Sequence, residues 1–247
     1  AIGKPPQGGV LDVGMQEEAM RVFNALPAFA ADAQARVHAF CHAVPGGWHA
    51  MGVMLSAAGS LRWLRDAVGR PSYEELLVEA ERWPPGTEGL LFAPYLAGER
   101  TPHADPDARG AFAGLTLRHD RGALARAVLE GVAYGLADSL ELLRPLGVRP
   151  EVGRVSGGGA RGELWLRIVA SALRVPLERT AADEGSAFGA ALLAGVAAGL
   201  FADVSEAVER CVRPRGRIEP DPVWSAVYER EHERFGSLYP ALAAVSA

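Results

Sequence analysis

The stretch Val152-Gly-Arg-Val-Ser-Gly157-Gly158-Gly159-Ala160-Arg161-Gly162-Glu163 runs from a short extended segment through three consecutive glycines into a helical pattern. Val152 to Ser156 reads as a strand, Gly157 to Gly159 as the turn, and Glu163 to Leu173 as a helix with apolar residues at helical spacing. Val175 to Thr180 then reads as a second strand, and Gly185 to Leu200 as a second, very apolar helix, taken to be buried. Strand, turn, helix, strand, helix is α/β organisation, which requires a sheet flanked by helices.

The turn itself supports three readings. Gly157 to Gly162 satisfies a G-x-G-x-x-G pattern that follows a strand and opens a helix, and Glu178 lies where a ribose-binding acid would, so a dinucleotide fingerprint is one. A tight strand-to-helix turn without ligand is another. The third is a nucleoside platform, in which the missing Cβ atoms let the backbone lie flat against an adenosine. Against the dinucleotide reading, the chain after Thr180 offers helices but no further clear parallel strands to complete such a sheet.

Outward from this unit, Asp120 to Leu146 carries Leu124, Val128, Leu129, Val132, Leu136, Leu140 and Leu143 on one face of a long helix, stopped by Pro145 and Gly147. Ser72 and Glu75 form a capping box that opens a helix ending by Trp83-Pro84-Pro85. Helical spacing from Met51 to Val68 predicts another helix, and Gly89 to Pro94 a short strand. Leu96 to Arg109 is a long polar loop holding Glu99, Arg100, His103 and Arg109, read either as a contributor to a cleft or as a solvated loop. Residues 1 to 50 show an amphipathic run from Glu17 to Leu26 and a strand near Val37 to Phe40. The tail reads as helices at Val204 to Cys211 and Val223 to Val245, joined by a linker with Pro214, Gly216, Pro220 and Pro222.

Composition narrows the function. The 247 residues are about half hydrophobic, enough for a substantial core, and the net charge of -5 is spread without basic blocks, which argues against nucleic acid or anionic lipid as partner. Two cysteines, Cys41 and Cys211, give no disulfide framework and suit a cytoplasmic location. The apolar stretch near Ala187 to Phe201 is shorter than the ~20 residues of a spanning helix and is broken by Gly189, Gly195 and Gly199. The opening Ala1-Ile-Gly-Lys-Pro-Pro has neither an initiating Met nor a signal-peptide core and reads as the edge of a longer chain. His38, Cys41, His42 and His49 crowd together, but their spacing fits no standard zinc pattern, and no metal ligand is assigned. Trp63, Trp83, Trp165 and Trp224 are expected in core or interface.

Several segments in fixed order resemble the FGGY family of carbohydrate kinases. They are Val37 to His49, Gly59 to Arg65, Phe92 to His103, Arg109 to His119, Leu124 to Gly131, the Gly157 turn, and Glu184 to Ala191. The form Gly98-Glu-Arg-Thr-Pro-His103 is similar to the xylulose kinases among them, and Ala123 departs from the polar residue usual in the signature. The resemblance covers roughly residues 36 to 245 and implies a ribonuclease-H-like domain of the actin and hexokinase type, with a mixed sheet flanked by helices. Residues 36–247 would be the C-terminal, nucleotide-binding domain and 1–35 an atypical or incomplete N-terminal segment. Gly158, Gly159 and Ala160 carry over as ATP contacts, with Glu163 and Arg62 beside them, and the dinucleotide reading recedes.

The resemblance further implies ATP and Mg²⁺ as cofactors, and a ketopentose, D-xylulose, converted to its 5-phosphate. Relatives have a general-base aspartate on a Gly-rich stretch and then a Gly-Thr-Ser hairpin on the phosphates. Neither is found: alignment puts the base at or before Ala1 and the hairpin from Gln16 to Val22, and Asp12 is not assigned as the base. No catalytic residue is therefore named. The sugar-binding domain is expected to be a partner outside this chain, a homodimer is left open, and the rival reading is a catalytically incomplete nucleotide-binding or partner-binding remnant. The apolar helix around Gly189-Ala190-Ala191 resembles the interdomain helix of such kinases, against plain helix packing.

Overall fold

The computed structural model describes residues 9–15, 20–26, 32–44, 46–181 and 186–246, with the backbone alone described for 9–15, 20–26 and 245–246. In chain order the strands are β1 (Gly9–Met15), β2 (Met20–Leu26), β3 (His38–Cys41), β4 (Trp48–Met54), β5 (Leu91–Ala93), β6 (Ala111–Ala113), β7 (Pro150–Ser156), β8 (Leu177–Thr180) and β9 (Pro214–Ile218). The helices are α1 (Ala57–Ala67), α2 (Tyr73–Glu81), α3 (Arg121–Leu143), α4 (Glu163–Leu173), α5 (Ser186–Ala197), α6 (Val204–Cys211), α7 (Pro222–Gly236) and α8 (Leu238–Ser246).

Seven strands form one mixed sheet in the order β3-β4-β2-β1-β7-β8-β9, and β5 pairs with β6 in a small second sheet. The pairs β1–β7 and β7–β8 are parallel, joined through α4 in the second case, while the outer pairs are antiparallel. This is the α/β architecture that the glycine-turn segment predicts, a mixed sheet flanked by helices.

Helix α3 organises the core. It packs against α1, α2, α4, α7 and strands β2, β4 and β5, so it is buried nearly all round instead of along one stripe. Close approach explains its glycines: a Cβ on Gly131 would stand 2.1 Å from the carbonyl oxygen of Phe92, and one on Gly135 2.5 Å from the Met54 side chain. Asp120 caps the helix by accepting from the amide of Ala123 at 3.0 Å. The capping box of α2 forms as predicted, with Ser72 and Glu75 each accepting from the other's backbone amide.

Four expectations change. The helix predicted from Met51 begins at Ala57; Met51 to Met54 belong to β4, which hydrogen-bonds β2 on one side and β3 on the other. The deciding residue is Gly52, where a Cβ would meet Ser139 of α3 at 2.7 Å, a contact made by the face of a strand laid on that helix. The amphipathic run to Leu26 is strand β2 from Met20 onward, antiparallel to β1, while 16–19 lie outside the described residues. The proline-rich linker contains edge strand β9, whose exposed position tolerates Pro214 at its first residue. Finally, α5 is not buried: among its described residues only Gly195 is, against the ring of Phe201.

Candidate nucleotide-binding site

Strand β7 ends at Ser156, and Gly157 turns the chain with φ of 88°, a conformation that L side chains avoid. One 3-10 turn, Gly158–Arg161, follows, closed by the amide of Ala160 donating to Gly157 at 3.1 Å and that of Gly162 to Gly159 at 3.2 Å. Helix α4 then starts at Glu163 without a side-chain cap on its first amides. Across from this turn, β4 delivers the chain to α1, whose first two turns present Ala57, Ala58, Gly59, Leu61 and Arg62.

Between them lies a cavity of about 1050 Å³. Helix α2 closes one side with Tyr73, Glu74, Leu77, Val78 and Glu81, while Val128, Leu129 and Val132 of α3 supply an apolar lining behind. Its size lies at the upper end of small-molecule sites and its walls are mainly apolar with charged groups at few points, as suits a flat heterocycle carrying a polar tail. A Cβ added to Gly158 would meet nothing within 4 Å, so the bare backbone there faces open space.

Of the sequence-predicted contacts, Gly158, Gly159, Glu163 and Arg62 line this cavity together, from two elements distant in the chain. Ala160 does not line it. That residue is 6 % exposed, its carbonyl accepts from Nε of Arg179 at 2.9 Å, and it borders a separate cavity of about 270 Å³ with Arg161, Arg179, Thr180 and Arg215. Leu61, Tyr73, Leu77, Leu164 and Trp165 also line the large cavity, and nothing in the sequence marks them as contacts. The capping box and the helical apolar spacing place α2 and α4 but do not say which neighbour they face.

The remaining candidates lie elsewhere. His38, Phe40 and His49 stack along β3 and β4 at ring separations of 5.9 and 5.5 Å, and Nδ1 of His42 accepts from the amide of Val44. Among the described residues, the group of three whose ligand atoms come within 4.8 Å of one another is Asp138, Glu141 and His232, which does not line the cavity. Arg109 donates to the carbonyls of Pro106 and Ala108 in its own loop. His103 stacks on Tyr239 at 3.6 Å and lies 3.2 Å from the Tyr95 hydroxyl, and burial lowers its pKa. Trp165 is in the core and Trp83 and Trp224 pack against it, the guanidinium groups of Arg126 and Arg167 both lying over the Trp224 ring, but Trp63 is 43 % exposed. The expected positions of the base and of the Glu184-Gly185 segment, and residues 16–19 of the hairpin, are outside the described residues.

Comparison with known proteins identifies the family. Residues 27–198 match the model of the FGGY family of carbohydrate kinases, C-terminal domain. Xylulose kinase of Escherichia coli (strain K12) is 40% identical over 215 residues, which are 87% of this chain and 44% of that protein. The crystal structure of a xyloylose kinase from Brucella ovis superposes with a TM-score of 0.88 at 39% identity, covering 98% of this chain and 49% of the other. A ligand-bound xylulose kinase from Lactobacillus acidophilus gives 0.87 at 26% identity over 96% of this chain and 48% of its own. This chain therefore spans about half the length of the relatives it matches. The family model spans well over half of the chain and the Escherichia coli protein is 40% identical over most of it, so the chain belongs to the FGGY family of carbohydrate kinases, whose C-terminal domain it carries.

Proposed function

We infer that this chain is the nucleotide-binding half of an ATP-dependent xylulose kinase, and that D-xylulose is converted to its 5-phosphate when a sugar-binding half is present. The observation that carries the reading is the cavity between α1 and the Gly157–Gly162 turn, where the backbone of Gly158 meets open space and Arg62 and Glu163 stand at the walls. A flat adenosine can contact such a backbone over its whole face, and the apolar lining from α3 removes it from water. Gly158, Gly159 and Glu163 on one side and Arg62 on the other are assigned to hold ATP; Ala160 is assigned to fix the turn from behind.

ATP supplies the transferable phosphoryl group and Mg²⁺ neutralises its charge; phosphoryl transfer otherwise depends on positioning. The described cavity walls fit the nucleoside. The acids on these walls are Glu74, Glu81 and Glu163; Mg²⁺ would be held chiefly by the phosphates of the nucleotide. The exposed apolar face of α5 supports an arrangement in which a second domain covers it. Domain closure would then exclude water from the phosphoryl group. No described helix is long and apolar enough to cross a membrane, and the cytoplasm is the proposed location.

The complete gene product is expected to form ADP from ATP in a D-xylulose-dependent manner, read by a coupled ADP assay with gluconate as the comparison sugar. Xylulose-independent or absent ADP formation overturns the substrate. Inactivity with every sugar in a protein that still binds ADP would favour the second reading, a binding remnant.

A further inference from the structure

Glu99 lies in the loop that the sequence presents as polar, yet it is 2 % exposed. One carboxyl oxygen, Oε1, accepts from the amide of Leu55 at 3.0 Å and from that of Arg100 at 2.7 Å. The other, Oε2, is out of solvent and has no hydrogen-bond partner. The neighbouring Thr101 locks the same loop onto β4: its amide donates to Val53, its Oγ1 accepts from the Val53 amide at 3.0 Å, and its hydroxyl donates to the carbonyl of Arg36 at 2.8 Å. Leu55 follows β4 directly and is separated from α1 only by Ser56. Glu99 thus fastens the junction from which the Ala57–Arg62 wall of the large cavity departs.

We propose that Glu99 is a positioning residue of the nucleotide cavity, which holds the β4–α1 junction in place as a neutral carboxylic acid and releases it on ionising. This rests on the nucleotide reading of the cavity. A buried carboxylate with one oxygen lacking any donor is costly, whereas a protonated acid keeps Oε1 as acceptor and removes the charge, at the smaller cost of one unpartnered O–H at Oε2. The charged and titratable groups facing Glu99 are Asp138 of α3, Arg100 of its own loop and the Tyr95 hydroxyl; Asp138 is in turn paired with His232 of α7 at 2.7 Å. Burial first, and Asp138 in addition, push the Glu99 carboxyl up to about 8, against the pull of the two amides and Arg100. Because this pKa is raised in the folded state, the stabilisation is complete below the ordinary carboxyl range and is lost as pH climbs to about 8. Above that value the junction carries a buried anion beside Asp138.

The test compares wild type with Glu99→Gln, which keeps an oxygen acceptor without the charge, and with Glu99→Ala. Mg-ADP affinity is measured calorimetrically at pH 7 and 9, and amide hydrogen exchange is followed across residues 55–62. The expected results are a loss of about fivefold in wild-type affinity between the two pH values, a Glu99→Gln affinity that matches wild type at pH 7 and stays flat, and about tenfold weaker binding with faster exchange in Glu99→Ala. Parallel pH profiles for wild type and Glu99→Gln, or wild-type exchange in a folded Glu99→Ala, overturn the proposal. If Glu99→Ala does not fold, the Glu99→Gln profile decides. Wild-type protein that binds no ADP removes the nucleotide reading and the proposal's functional half; wild-type exchange that quickens from pH 7 to 9 relative to Glu99→Gln would still support the junction clamp, and equal exchange would overturn it.

Discussion

Gly158→Leu is expected to weaken Mg-ADP binding at least about tenfold, equivalent to about 1.4 kcal/mol, with little change in thermal unfolding. The separation of the two effects follows from the backbone. Gly158 has ordinary φ and a Cβ built on it meets nothing within 4 Å, so the protein tolerates the side chain. The space that receives the leucine is the cavity itself, where it competes with the nucleoside. Gly157 makes the contrasting control. Its φ of 88° means that a substitution there strains the turn and lowers stability as well as affinity. A variant at Gly158 with unaltered ADP affinity would place the nucleotide elsewhere.

The largest loss of stability is expected from Glu130→Ala, about 3–5 kcal/mol, read as a lowered midpoint in chemical denaturation. Arg126 and Glu130 are one helical turn apart on α3, with side chains 1% and 2% exposed, and Nε of Arg126 donates to Glu130 at 2.8 Å. Glu130 also accepts from the Gly86 amide, the Thr87 hydroxyl and the Tyr228 hydroxyl, so it joins α3 to the segment after α2 and to α7. Truncation leaves the Arg126 guanidinium buried against Trp224 and Tyr228 without its anion, and strands the Gly86 and Thr87 donors. Glu130→Gln keeps the acceptor for Gly86 and Thr87 but not the charge, and should fall between wild type and alanine. Midpoints within experimental error of wild type for both variants would mean that water or a neighbouring group satisfies these partners.

Legibility in the sequence followed the locality of the signal. Helix α4 was readable to its ends because Gly162 precedes and Arg174 follows a clean apolar period, and α2 because Ser72 and Glu75 announce its start. The apolar spacing around Met51 was compatible with either period, and only the ladders to β2 and β3 decide for a strand. Helix α5 misled in the other direction. Its apolar composition suggests burial, yet composition cannot say whether the covering surface belongs to the same domain. At the site, the glycines were visible because three in a row mark a turn between strand and helix, whereas Tyr73 and Leu77 face the cavity only through the packing of α2 on α3. Ala160 adjoins the glycines in sequence, but the 3-10 turn rotates successive residues and sets it on the separate, smaller cavity. Glu99 was visible as a charge in a loop, but its burial depends on contacts with residues more than forty positions away.

Calorimetric titration of the purified chain with Mg-ADP and, separately, with NAD tests the central claim most directly. A nucleoside platform predicts saturable ADP binding, weakened by Gly158→Leu, and no heat from NAD. Saturable NAD binding that the same substitution abolishes would contradict it and return the glycine turn to its dinucleotide reading.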